Sequence, residues 1–134
     1  MIVLDSSFLI GFYNSRDAHH TRAASLRGEF LDGRWGNGLL LEYVYLEVVT
    51  VLLTRAGAAV AVKAGGDLLQ SKEFEFVPCS ELFAETVRNF NAQQHTNLSF
   101  TDIAIATVAL KRSDGLVLTF DEEFRKVPGI RLAE

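Results

Sequence analysis

Four acidic residues stand where a folded domain favours apolar or neutral side chains: Asp5, Glu47, Asp102 and Asp121. Asp5 ends the opening apolar run IVL, and Asp121 follows LVLTF. Glu47 interrupts the otherwise uncharged YVYLEVVTVLL, and Asp102 opens IAIATVAL. Carboxylates at the ends of buried elements, far apart in sequence, suggest one acidic pocket rather than a solvated face. Two carboxylates about 4 Å apart repel by about 4 kcal/mol at an effective dielectric of roughly 20. A divalent cation relieves that repulsion, and hard oxygen donors suit Mg²⁺ or Mn²⁺.

Elements that would position these acids can be read along the chain. Ile2–Leu4 reads as a short buried strand, and Asp5-Ser6-Ser7 turns into a helix through Tyr13. Residues about 17–32 carry Ala24, Leu26, Phe30 and Leu31 at helical spacing, stopping at Gly33. Asn37–Leu41 reads as a second strand, Glu42–Arg55 as the clearest helix and Ala58–Ser71 as the next. Phe74–Val77 is a third strand, after which Ser80 is expected to cap a helix carrying Val87 and Phe90. Ser99 starts a helix through Leu110; Leu116–Thr119 and Ile130–Leu132 read as strands. Strands alternating with helices predict an α/β domain with a mainly parallel sheet. In such sheets the functional crevice lies beyond the carboxyl ends of the strands, where Asp5 and Asp121 fall.

Each acid also has a structural reading. Asp5 and Asp121 suit N-caps, the latter of a short Glu122–Arg125 helix. Ser99-Phe100-Thr101-Asp102 resembles a capping box. Glu42 is explained by the helix dipole. Glu47 is different: its neighbours one turn away are Tyr43, Val44, Thr50 and Val51, none basic. A carboxylate desolvated among them has a raised pKa and needs a partner from elsewhere in the fold.

Composition narrows the class. At 134 residues, 49% apolar and without low-complexity tracts, the chain is expected to form one globular domain over 1–134. The single Cys79 excludes an internal disulfide and fits a reducing compartment. No secretory signal is visible before Asp5, and Glu42 and Glu47 interrupt the longest apolar region, so a cytoplasmic protein without a membrane span is expected. A net charge of −4 argues against bulk electrostatic capture of nucleic acid, although Arg16, His19, His20 and Arg22 form a local basic group. Adjacent histidines on a helix point apart, which favours a structural or surface role for His20 over metal ligation.

The segments IVLDSSFLI, LEYVYLEVVTVLLTR and NLSFTDIAIATVALKRSDGLVLTFDEEF resemble, in content and order, the PIN-domain family of metal-dependent nucleases. The resemblance implies a three-layer α/β/α domain with a central, mainly parallel sheet of four or five strands. It implies that Asp5, Glu47, Asp102 and Asp121 form a catalytic quartet, with Asp5, Asp102 and Asp121 holding Mg²⁺ or Mn²⁺. Glu47 would bind metal or orient water. Ser6 and Thr119 match polar positions near the metal, and Thr101 would help to orient Asp102. DAHHTRAA resembles a segment near the family's first helices, with His20 at its recurring position. Two positions depart from the pattern: Asn97 stands where relatives often carry an acid, and Glu123 replaces a frequent Asp.

A compact domain of this size looks most like the VapC-type toxins of toxin–antitoxin pairs. That likeness implies an endoribonuclease that hydrolyses RNA phosphodiester bonds, forms a homodimer and is held by a small antitoxin. Phe8, Phe12, Tyr13, Tyr43 and Tyr45 serve either the core or such an interface. Two other readings remain open: a phosphoaspartyl enzyme using Asp5, for which a neighbouring acid is missing, and a non-catalytic PIN-like module that binds RNA or protein.

Overall fold

The computed structural model describes residues 1–134. Five strands, β1 (Ile2–Leu4), β2 (Gly38–Leu41), β3 (Phe74–Val77), β4 (Leu116–Leu118) and β5 (Arg131–Leu132), form one sheet ordered β3-β2-β1-β4-β5. All four pairings are parallel, so the sheet is wholly rather than mainly parallel. Every residue of β1 and β2 is buried, which fits strands covered on both faces. The edge strand β3 alternates less cleanly, leaving Glu75 and Phe76 exposed.

Six helices cover the sheet: α1 (Ser6–Tyr13), α2 (His20–Leu31), α3 (Glu42–Ala56), α4 (Ala58–Gln70), α5 (Phe83–Ala92) and α6 (Phe100–Arg112). Helix α1 packs on α2 and α3, and α3 on α4; α5 pairs with α6, which lies on β1 and β4. Helix α3 buries Val44, Val48 and Leu52, one residue per turn, against a core that includes Leu39, Leu40 and Leu41. Of the aromatics in question, Phe8 is buried in the core, while Phe12, Tyr13, Tyr43 and Tyr45 are partly buried against it. No helix is long and apolar enough to cross a membrane.

Local chemistry explains most boundaries and corrects several expectations. The Ser99 hydroxyl accepts from the Asp102 N–H while the Asp102 carboxylate accepts from the Ser99 N–H, a complete capping box. Lys111 and Arg112 in the last turn of α6 complement the helix dipole and carry it past Leu110. Ser80 caps nothing: it opens a short 3₁₀ turn over Ser80–Leu82, and α5 begins only at Phe83. Helix α2 starts at His20 rather than near residue 17, because Asn14 to His19 form turns held by Asn14 Oδ1 and Asp17 Oδ1.

The connection after β1 leads to β2 on one side, whereas β4 pairs on the other. The sheet therefore changes winding direction between β1 and β4. Crevices in open parallel sheets form at that point, beyond the strand carboxyl ends. Asp5 follows β1 directly, and Thr119-Phe120-Asp121 follow β4.

Gly115, between α6 and β4, has φ +78°, and a Cβ there would meet the Gly129 carbonyl oxygen at 1.8 Å. Gly115→Ala is thus expected to cost about 3 kcal/mol, from left-handed strain and a backbone collision. Gly28 lies inside α2 with nothing within 4 Å of its would-be Cβ. Gly28→Ala is expected to gain about 0.5–1 kcal/mol. Urea unfolding of both variants measures the contrast, and equal effects would contradict it.

Candidate active site at the β1–β4 switch point

The centre of the crevice is one nearly sealed carboxylate. Asp5 is 2% exposed, and its N–H still donates to the Leu118 carbonyl at 3.0 Å, so it extends the β1–β4 ladder. It occupies the N-cap position of α1, yet its side chain makes no capping hydrogen bond of good geometry. Two hydroxyls take one oxygen instead: Ser7 Oγ donates to Asp5 Oδ2 at 2.7 Å and Thr119 Oγ1 at 2.6 Å. Ser7 Oγ in turn accepts from the Phe120 N–H at 2.9 Å, and Thr119 Oγ1 from the Asp121 N–H at 2.9 Å. With both hydroxyl protons directed at Asp5, the 3.2 Å Ser7–Thr119 contact is close packing of two oxygens rather than a further bond.

Burial pushes the Asp5 pKa up, and the Thr119 and Ser7 hydrogen bonds oppose it. Asp102 is raised to about 6, first by desolvation and then by the negative charge of Asp5, with a smaller contribution from Asp121. Glu47 is raised by desolvation and by Asp5, against a hydrogen bond from Ser6. These couplings bring all four acids into one electrostatic neighbourhood. None of the four takes part in an ion pair.

Glu47 reaches this neighbourhood by a different route from the one expected. It is exposed, not sealed among apolar neighbours. Because α3 turns Val44, Val48 and Leu52 inward, Glu47 is left on the rim, and its desolvation is partial. Glu42 serves structure, accepting the Cys79 N–H at 2.9 Å. Thr101 makes no side-chain hydrogen bond, and Asp102 is oriented by Ser99 instead.

Ser6 lies 3.5 Å from Asp5 Oδ1, a weak contact compared with that of Ser7. Ser7, which the sequence pattern does not single out, is the stronger partner of Asp5. Its signal was the second serine of Asp5-Ser6-Ser7, placed one residue further into the helix. Both departures from the expected pattern meet at Glu123, whose carboxylate pairs with Lys126 at 2.7 Å. That pairing holds its pKa low, aided by the backbone N–H of Asn97. The other oxygen of Glu123, Oε2, is buried without a hydrogen-bond partner. His20 Nδ1 donates to the Gly11 carbonyl at 2.9 Å, tying α2 to α1, which is a structural role.

The donor set suits a small hard cation. Asp102 Oδ2 accepts from Ser99 and Asp121 Oδ1 from the Glu123 N–H, leaving Asp102 Oδ1 and Asp121 Oδ2 without a protein partner. Asp5 Oδ1 has only the weak Ser6 contact. Each aspartate thus has one anchored oxygen and one available. No three acidic side chains close into a ready cage. Mg²⁺ tolerates this, because it keeps several waters and takes one or two carboxylates. A cavity of about 510 Å³ between α5, α6 and Lys126-Val127-Pro128 is lined by none of the four acids. It is therefore a separate groove.

The family model for the PIN domain matches residues 2–130. The chain belongs to the PIN domain family. Among solved structures, this PIN domain is similar to the crystal structure of Mycobacterium tuberculosis VapC20, a toxin that cleaves the sarcin-ricin loop. The two share 21% sequence identity, 97% coverage of each chain and a TM-score of 0.86, which establishes a common fold. Comparison with curated protein sequences gives no match.

Two predictions follow from the strained acids of this PIN domain. The folded state holds the Asp102 proton more tightly than the unfolded chain, so ionisation costs stability as pH rises from about 4 through 6. Cation-free protein should lose stability across that window. Asp102→Asn, which keeps a cap acceptor, should recover about 1 kcal/mol at neutral pH after allowance for solvent screening. A melting temperature that rises over this window in the absence of divalent ions would refute the assignment. Thr119→Val removes a donor to Asp5 and the acceptor of the Asp121 N–H, and should destabilise by about 1–3 kcal/mol in thermal unfolding.

Proposed function

We propose that this PIN domain is a divalent-metal-dependent endoribonuclease and that Asp5, Glu47, Asp102 and Asp121 form its active centre. One observation carries the reading: a sealed Asp5, electrostatically coupled to Asp102 and Glu47 and without a basic partner, at the β1–β4 switch point. Asp5, Asp102 and Asp121 would hold Mg²⁺ or Mn²⁺ through the oxygens their anchoring bonds leave available. Such an ion, when bound, acidifies water and stabilises charge on the phosphoryl oxygens. Glu47, exposed on the rim with a raised pKa, is suited to orient water and accept its proton. Ser7 and Thr119 fix Asp5 so that it would present its free oxygen to the ion in one orientation.

The fold shared with VapC20 over 97% of each chain supports a VapC-type toxin restrained by a small antitoxin. Leu46 and Leu53 on α3, with Val62 and Leu69 on α4, leave apolar side chains exposed where an antitoxin segment could pack. Phe83 and Phe90 on α5, grouped around Phe100, offer a second apolar face for a homodimer. A cytoplasmic location belongs to the same reading.

RNA cleavage with and without Mg²⁺ or Mn²⁺ tests the assignment. Asp5→Asn should lower metal-dependent cleavage by about 100-fold or more while leaving the circular dichroism spectrum unchanged. Equal metal-dependent RNase activity in the two proteins would sink it. Tight metal binding without cleavage of any RNA would instead favour a non-catalytic module.

A further inference from the structure

Beside the acids stands an aromatic pair that the nuclease reading does not use. The His19 imidazole lies parallel to the Phe120 ring, with centroids 4.4 Å apart and planes 9° apart. Phe120 sits between Thr119 and Asp121, both part of the acidic centre. Its position is fixed: its N–H donates to Ser7 Oγ at 2.9 Å, and its ring packs 6.4 Å from Phe8. His19 remains exposed although Phe120 covers one ring face, so the other face is open. Its imidazole makes no hydrogen bond; its backbone N–H donates to Asp17 Oδ1 at 2.8 Å and its carbonyl accepts from the Ala23 N–H at 2.8 Å.

A second observation concerns the charges nearby. Most basic side chains are engaged with carboxylates: Arg34, Lys63, Lys111, Arg112, Arg125, Lys126 and Arg131 all form ion pairs. Arg16 and Arg22, which flank His19 in sequence, are exposed and form none. An exposed aromatic ring with unpaired cations three residues to either side in sequence matches what single-stranded nucleic acid needs, stacking for bases and attraction for phosphates. It stands at the rim of a centre that otherwise repels phosphate.

We infer that His19, backed by Phe120, is a stacking platform for one unpaired base of the RNA strand, with Arg16 and Arg22 drawing the adjacent phosphates. The platform rests on the ribonuclease reading and adds to it the part of the substrate held next to the scissile bond. Stacking tolerates any base, so the platform selects an unpaired nucleotide rather than a sequence.

The test uses full-length protein carrying Asp5→Asn to suppress cleavage. Fluorescence anisotropy measures binding of a labelled single-stranded RNA and of matched strands with one abasic site moved along the sequence. His19→Ala should weaken binding of the intact strand about tenfold. It should also erase the penalty that one abasic position imposes on the parent. His19→Phe should restore the affinity that His19→Ala loses. Arg16→Ala should flatten the salt dependence of binding. If His19→Ala binds intact and abasic strands as the parent does, while protein with Asp5 intact cleaves RNA, the platform is wrong and the nuclease reading stands. If the protein neither binds nor cleaves RNA, both fall.

Discussion

The structure depends on a carboxylate buried where it is least welcome. Asp5 lies at the end of a sealed strand, and the hydroxyls of Thr119 and Ser7 do most to offset the cost of burying its charge. Those same hydroxyls accept the N–H groups of Phe120 and Asp121. Holding the charge and fixing the chain after β4 are therefore one arrangement. The first strand, the first turn of α1 and the exit from β4 cannot shift independently.

This explains why the acidic centre is strained in the absence of a cation. Asp102 carries the clearest sign, because desolvation and the Asp5 charge both oppose its ionisation. A fold optimised for stability alone would place a neutral or basic group among these residues. The surrounding core is conventional: aliphatic strands, a Val44–Val48–Leu52 stripe and a complete capping box on α6. Stability gained there offsets the cost at the crevice.

Much of this was legible in the chain. Short aliphatic runs between helical segments gave the parallel sheet, since strands covered on both faces lose polar alternation. The Asp102 capping box was readable because it is local, made within four residues. The reason for singling out Glu47 did not hold: Tyr43 and Val51, one turn away, are only partly buried and Thr50 is exposed, so Glu47 stands on the rim. Ser7 and His19 were harder to read. Their roles arise from Thr119 and Phe120, brought close only by the pairing of β1 with β4. Ser80 misled because a serine before an amphipathic stretch suits a cap, whereas the backbone here takes a 3₁₀ turn first.

The bond from Thr119 to Asp5 spans 114 positions of sequence. During synthesis, the opening strand emerges long before β4 exists to pair with it. Until the closing segment leaves the ribosome, Asp5 lacks Thr119, Asp121 is absent and the switch point has no second side. The order of synthesis thus delays assembly of the acidic centre until β4 has followed β1, β2 and β3.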